Sequence, residues 1–196
     1  MLYIIGLAHP AQTRRHGVEL NDSQKKFSTC LRGIVDIARP AFIAEEFSEE
    51  ALAEISEDSI AMEIAFESGI QHRFCDPNSD ERRAIGYWDY VSIFIGINEE
   101  ISEEERRRKA RAIEICRYFP LREEFWLERL KEFHGKDGVF VCGDGHIESF
   151  THRLDTNQIS FTIVERGIGL TSEDAGFYEA VQYLSEHPEI ANGETY

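Results

Sequence analysis

One short pattern occurs twice in this chain, near its two ends, and it limits the fold more than any other feature. Leu2-Tyr3-Ile4-Ile5 runs into Gly6-Leu7-Ala8-His9, and Gly138-Val139-Phe140-Val141-Cys142 runs into Gly143-Asp144-Gly145-His146. Each is a short apolar strand, then a glycine that permits a sharp turn, then a histidine three residues on. In a parallel sheet the carboxyl ends of the strands share one edge, where α/β proteins bind their ligands. Two histidines remote in sequence are thereby expected in one cleft, where imidazole serves as metal ligand or as general acid and base.

The segments between the two signatures support a parallel sheet. A helix is expected from about 23 to 38, with Phe27, Leu31, Ile34 and Val35 on one face, and Pro40 stops it. Ala41-Phe42-Ile43-Ala44 reads as a second strand, followed by Glu45-Glu46. A helical stretch opens at Ser48, another spans 59–68 up to Gly69, and Ile70 to Cys75 is a third strand ending at Asp76-Pro77. Strand–helix–strand alternation of this kind implies right-handed crossovers. The expected class is α/β: one domain over residues 1–196, with a largely parallel central sheet flanked by helices. A helical subregion at about 80–134, broken at Gly96 and Pro120, precedes the second histidine signature. After it come a helix near 145–156, a strand near 159–164 and a last helix near 172–186. The tail from 192 to 196 is expected to fray.

Composition narrows the function classes. A formal charge of −16 opposes broad affinity for nucleic acid or for an anionic membrane. The basic run Arg106-Arg107-Arg108-Lys109 follows Glu103-Glu104-Glu105, which on a helix gives ion pairs three or four residues apart. No apolar run reaches the roughly 20 residues that span a bilayer, and the N-terminal segment lacks the layout of a signal peptide. A cytoplasmic location is the expectation. Cys30, Cys75, Cys116 and Cys142 form no CxxC pair and read as reduced, partly buried thiols, with Cys75 and Cys142 beside the expected site.

Polar groups collect where the strands end: His9, Glu45, Glu46, Asp76 and His146. Two imidazoles and a carboxylate supply three ligands to a divalent ion and leave positions open for water. Without metal, the same set activates water directly. Arg122, at the start of a late helix, is suited to bidentate recognition of a carboxylate or an oxyanion. Arg82 and Arg83 read as neutralising partners for the carboxylates. No GxxxxGK[ST], HExxH or GxSxG motif occurs, and Gly143-Asp144-Gly145 lacks the third glycine of a dinucleotide loop.

With these residues in view, the chain resembles the superfamily that groups TraB/PrgY and TIKI-type proteins with erythromycin esterase and ChaN-like proteins. The resemblance rests on Gly6 to His9, on Glu45 or Glu46, on Arg122 with Trp126 one turn later, and on Gly143 to His146. It extends through Phe150, Leu154 and Ile159 and so spans most of the chain. The first motif is Gly-Leu-Ala-His here, where the superfamily usually has GT-x-H or GE-x-H. The resemblance implies a hydrolase of ester or peptide-like substrates, some members of the superfamily using metal and others not. Together, residues and resemblance give an expected catalytic set of His9, Glu45, Glu46, Asp76, Arg122 and His146. Within it, His9, Glu45 and His146 are the expected ligands of Mn, Co or Zn. Asp76 is expected to orient a histidine or add a ligand, and Arg122 to stabilise developing charge. The substrate would be a small molecule or a peptide, and a homo-oligomer is compatible with this reading. The alternative is a non-catalytic ligand-binding or sensor module that uses the same cleft.

Overall fold

The computed structural model describes residues 1–171 and 175–192, and the chain divides into two compact units. The first comprises Met1–Asn78 with Phe125–Leu170, the second Ser79–Glu124 with Thr171–Tyr196.

The first unit is built on a five-stranded sheet. Its strands are β1 (Leu2–Leu7), β3 (Phe42–Glu45), β5 (Gln71–Phe74), β6 (Gly138–Gly143) and β7 (Phe161–Ile168), in the order β5-β3-β6-β1-β7. Every neighbouring pair is parallel. This is the α/β architecture that the alternating elements imply. The period-two alternation of strand side chains divides the apolar residues between two layers. Ile4, Phe42, Ala44, Phe140 and Cys142 meet Trp126, Leu127, Ile147, Phe150 and Leu154 on one face. Ile5, Leu7, Ile43, Val139 and Val141 meet Phe27, Leu31, Ile34, Ile60 and Ile64 on the other. With both faces covered, β6 is buried along its whole length, as a central parallel strand must be.

The helices end where local chemistry dictates. α1 (Asp22–Ala38) starts with a capping box, in which the Asn21 side chain accepts from Gln24 N and the Gln24 side chain accepts from Asn21 N. Ser48 caps α2 (Glu49–Ile55), and Ser59 caps α3 (Ile60–Ser68), which closes on Gly69 at φ 66°. The sequence pattern does not reveal a second, small sheet. In it β2 (Thr13–Arg14) pairs antiparallel with β4 (Asp58–Ser59). Two-residue strands carry no periodicity to read.

The second unit is helical: α4 (Ser79–Ala84), α5 (Tyr90–Gly96) and α6 (Glu103–Ile113), then α9 (Ala175–Glu186) and α10 (Pro188–Asn192). Ile93, Ile97, Ala110, Ile113 and Ile190 form its core. The expected break at Pro120 is absent. A π-helical turn at Glu114–Tyr118 leads straight into α7 (Phe119–Leu130), with Phe119 N bonding five residues back to Glu114 O. The proline sits just past that wide turn, near the start of α7, where its missing N–H is tolerated. α8 (Ile147–Thr156) joins β6 to β7 in the first unit. The start of the expected last helix, 172–174, and the tail 193–196 lie outside the described residues. Among the described residues no helix is long and apolar enough to cross a membrane.

Candidate functional site

The register explains why the two signatures belong together. β1 lies directly beside β6, with Gly6 opposite Cys142 and Leu7 opposite Gly143. Both histidines therefore leave neighbouring strands at the same sheet edge. His9 opens a single 3₁₀ turn with Pro10 behind it, and His146 closes another before α8. The glycines interlock. A Cβ on Gly6 would stand 2.6 Å from Asp144 Oδ1 and 2.9 Å from Ile147 Cγ1. A Cβ on Gly143 would stand 3.3 Å from Glu46 Oε2 and 3.4 Å from His9 Nε2. Each signature's glycine thus makes room for the other signature's neighbourhood.

Glu46 is the carboxylate between the imidazoles. Its Oε2 accepts from Gly143 N at 2.7 Å. Its Oε1 lies 3.4 Å from His146 Nε2 and 3.7 Å from His9 Nε2. The Glu46 side chain is fully buried and that of His146 is 4% exposed, whereas the side chain of His9 is 51% exposed. The His146 ring meets Trp126 edge-on, with centroids 4.8 Å apart, and His9 meets Phe47 in the same manner at 5.7 Å.

Glu45 keeps other company. Its Oε2 accepts from Gln12 Nε2 at 2.6 Å, and its Oε1 takes the Ser59 hydroxyl at 2.5 Å and faces His72 Nε2 at 2.8 Å. The expected metal ligand Glu45 is therefore engaged by three protein groups, and Glu46 is the member of the pair that faces the histidines. Asp76, 3% exposed, accepts from Trp126 Nε1 at 3.1 Å, so it approaches the His146 ring through the indole. Arg122 belongs to the second unit. It is 8% exposed there, and its guanidinium carbon lies 5.5 Å from the centre of the Tyr87 ring, with that of Arg82 at 5.4 Å. Tyr87 donates to Glu114 at 3.1 Å, and burial raises its pKa above the ordinary tyrosine value. Arg83 pairs with Asp80 on the exposed face of α4.

Cys75 and Cys142 are fully buried in the sheet layer. Burial pushes the Cys75 thiol up to about 12, which removes it as a nucleophile near neutral pH.

Sequence reasoning missed Gln12, Ser59 and His72. Ser59 reads in the sequence only as the start of a helix, and His72 falls within a short strand beside β3. Gln12 is separated from its partner by the whole of α1.

Compared with known proteins, the chain matches no family model, no curated protein and no solved structure.

Donor chemistry tests whether a divalent cation suits this edge. Two imidazole nitrogens and a carboxylate oxygen are the ligand types of Zn, Co and Mn sites. Ligand atoms about 2.0–2.1 Å from one tetrahedral ion are about 3.3–3.4 Å apart, close to the two separations at Glu46 Oε1. Among the described residues no group of three His, Cys, Asp or Glu side chains is placed to hold a metal ion. Binding would require the three groups to rearrange, and His9 is the exposed member, on a short turn. The set fits the ion in donor type and in the Glu46–His146 spacing.

Proposed function

We propose that the chain is a hydrolase of ester or peptide-like compounds, centred on Glu46 between His9 and His146. The observation that carries this reading is the spacing around Glu46 Oε1. Two imidazole nitrogens flank one buried carboxylate oxygen at 3.4 and 3.7 Å. That is beyond the roughly 2.7–3.2 Å of a hydrogen bond and suits a small guest shared by all three groups.

His9, Glu46 and His146 would hold Mn, Co or Zn. Such an ion, when bound, lowers the pKa of its water toward neutrality and polarises a carbonyl. The protein's own part follows from burial and hydrogen bonding. In the metal-free form of the reading, Gly143 N–H would hold the Glu46 carboxylate in place while it takes a proton from the attacking water. His146, nearly fully buried, packs edge-on against Trp126, which would help orient its ring. In that same metal-free form the proton taken from water would pass from Glu46 to His9, half exposed, and from there to the departing group. Arg122, in the second unit, is given no part in this site.

A cytoplasmic setting belongs to the same proposal and draws support from four free cysteines, unusual in an oxidising compartment. Membership of the TraB/TIKI and erythromycin esterase superfamily is likewise proposed, on the paired Gly-x-x-His signatures.

The test is elemental analysis of protein purified without chelators, then an esterase and peptidase screen with and without Mn²⁺, Co²⁺ or Zn²⁺. The His146→Asn variant serves as the blank, since it keeps much of the buried volume. Turnover, or stoichiometric metal, that is lost in His146→Asn is the expected result. Ligand-induced stabilisation without turnover or metal would instead assign the edge to a binding or sensor module.

A further inference from the structure

Gln12 is a fully buried polar side chain that the chemistry above leaves without a task. It follows the 3₁₀ turn that carries His9, and its backbone N–H donates to His9 O at 3.0 Å. Its backbone carbonyl accepts from Ile60 N at 3.1 Å, at the start of α3. Its side-chain Nε2 donates to Glu45 Oε2 at 2.6 Å, while its Oε1 is buried with no hydrogen-bond partner among the described residues. The acceptor, Glu45, immediately precedes Glu46 and is locked by Ser59 and His72 on its other oxygen.

We propose that Gln12 is a positioning residue: through its bond to Glu45 it fastens the His9 turn to the end of β3, and so sets His9 against Glu46. The chain of atoms is short and rigid. His9 and Gln12 share one turn, Gln12 holds Glu45, and Glu46 follows Glu45 directly at the end of β3. A half-exposed histidine on a short loop turn has little packing of its own to hold it. A charge-assisted hydrogen bond buried beneath the turn provides the restraint that packing does not. The role rests on the functional reading for its catalytic consequence, but the placement of His9 is measurable without it.

The geometry also specifies a swap. In Gln12→Glu two carboxylates would meet where the present contact is 2.6 Å, and repulsion would push the turn away. In Gln12→Glu with Glu45→Gln the partners exchange roles: the new amide donates to the new carboxylate, and its oxygen still accepts from Ser59 and His72.

The experiment compares wild type, Gln12→Leu, Gln12→Glu and the Gln12→Glu/Glu45→Gln double variant. The readouts are the His9 and His146 imidazole resonances in metal-free protein, the Zn²⁺ dissociation constant, and kcat and KM on any substrate found by the screen. Both single variants should shift the His9 resonances and leave those of His146 in place. They should weaken Zn²⁺ binding or kcat by about 10–100-fold, the usual cost of losing an outer-shell partner, with KM little changed. The double variant should restore all of these. Unchanged His9 resonances in the single variants would overturn the proposal. So would a folded double variant whose His9 stays displaced, or a double variant that fails to fold although its bond is restored. A wild type with neither turnover nor metal would sink the hydrolase reading and leave the resonance test of Gln12 standing.

Discussion

Glu45 and Glu46 are neighbours in sequence, yet their carboxylates serve opposite faces of the sheet. Glu45 reaches Gln12, Ser59 and His72, while Glu46 reaches Gly143 N–H and the two site imidazoles. Successive strand residues point to opposite sides, so a pair of acids at a strand end supplies one anchor and one working group.

That division separates two chemically identical substitutions. Glu46→Gln should lower turnover by on the order of 10²–10⁴-fold, the range that acid–base groups contribute, and should weaken Zn²⁺ binding. Glu45→Gln should leave both within a few-fold of wild type. The Gln12 carboxamide can turn over and present its unpartnered oxygen to the new amide. Steady-state kinetics and metal titration of the two variants decide the matter. Equal losses would mean that Glu46 has no special place between the imidazoles.

Gly143→Ala is a quieter probe of the same edge. The residue sits at φ −58°, so alanine fits the backbone without strain. Its Cβ would nevertheless press on Glu46 Oε2 and His9 Nε2 at 3.3 and 3.4 Å. The neighbours must yield by a few tenths of an ångström. A thermal midpoint near wild type is expected together with a loss of activity of roughly 10–100-fold, since a misplacement of about 1 Å costs about 10²-fold. Gly6→Ala should act the other way and lower the midpoint first, because 2.6 Å to Asp144 Oδ1 leaves no room.

Much of this was legible in the sequence, for identifiable reasons. Strands β1, β3 and β6 announce themselves as apolar runs ended by glycine or acids, β5 is a more polar segment between Gly69 and Asp76, and their order implies a parallel sheet. The sharing of one edge by His9 and His146 follows from that grammar. What was hidden depends on pairing between remote segments. Which of Glu45 and Glu46 faces the histidines is set by strand register, and one residue of slip would exchange them. The Gln12–Glu45 bond joins residues on either side of a whole helix. The absence of a break at Pro120 depends on a π turn that no periodicity marks. Arg129, on the same helix as Arg122, makes contacts that no sequence pattern marks. It donates to Phe74 O at 2.9 Å, with its guanidinium 4.7 Å from the centre of the Phe125 ring.

Trp126 should prove the costliest single side chain of the first unit. It is fully buried, touches Phe140, Phe150 and His146 through its ring, and donates to Asp76. Trp126→Ala should cost about 3–5 kcal/mol, the range for a buried aromatic. Trp126→Phe keeps most of the packing and removes the hydrogen bond to Asp76, for about 1.5–3 kcal/mol. Urea unfolding of both variants measures the two terms. A smaller loss for alanine than for phenylalanine would contradict the packing described.

Alkaline pH should weaken the fold through Cys75. Its thiol has an ordinary value of 9.0 and is pushed up to about 12 by burial among the sheet residues. Below pH 9 both native and unfolded chains keep the proton, and the thiol has no effect on the pH dependence. Between about 9 and 12 the unfolded chain loses the proton and the native chain retains it. Ionisation then favours unfolding, and stability falls by up to about 1.4 kcal/mol per pH unit. Tyr87, raised by burial in the second unit, bends the curve in the same direction above pH 10. Comparison with Cys75→Ala removes that contribution, because both proteins contain Tyr87. The alanine variant should be less stable at pH 7, since it leaves a small cavity, and the gap should narrow steadily from pH 9 to pH 11. Urea unfolding at each pH reads the gap directly. A gap that stays constant over that range would mean the Cys75 thiol ionises as readily in the native protein as in the unfolded chain, and that the site edge beside it admits water.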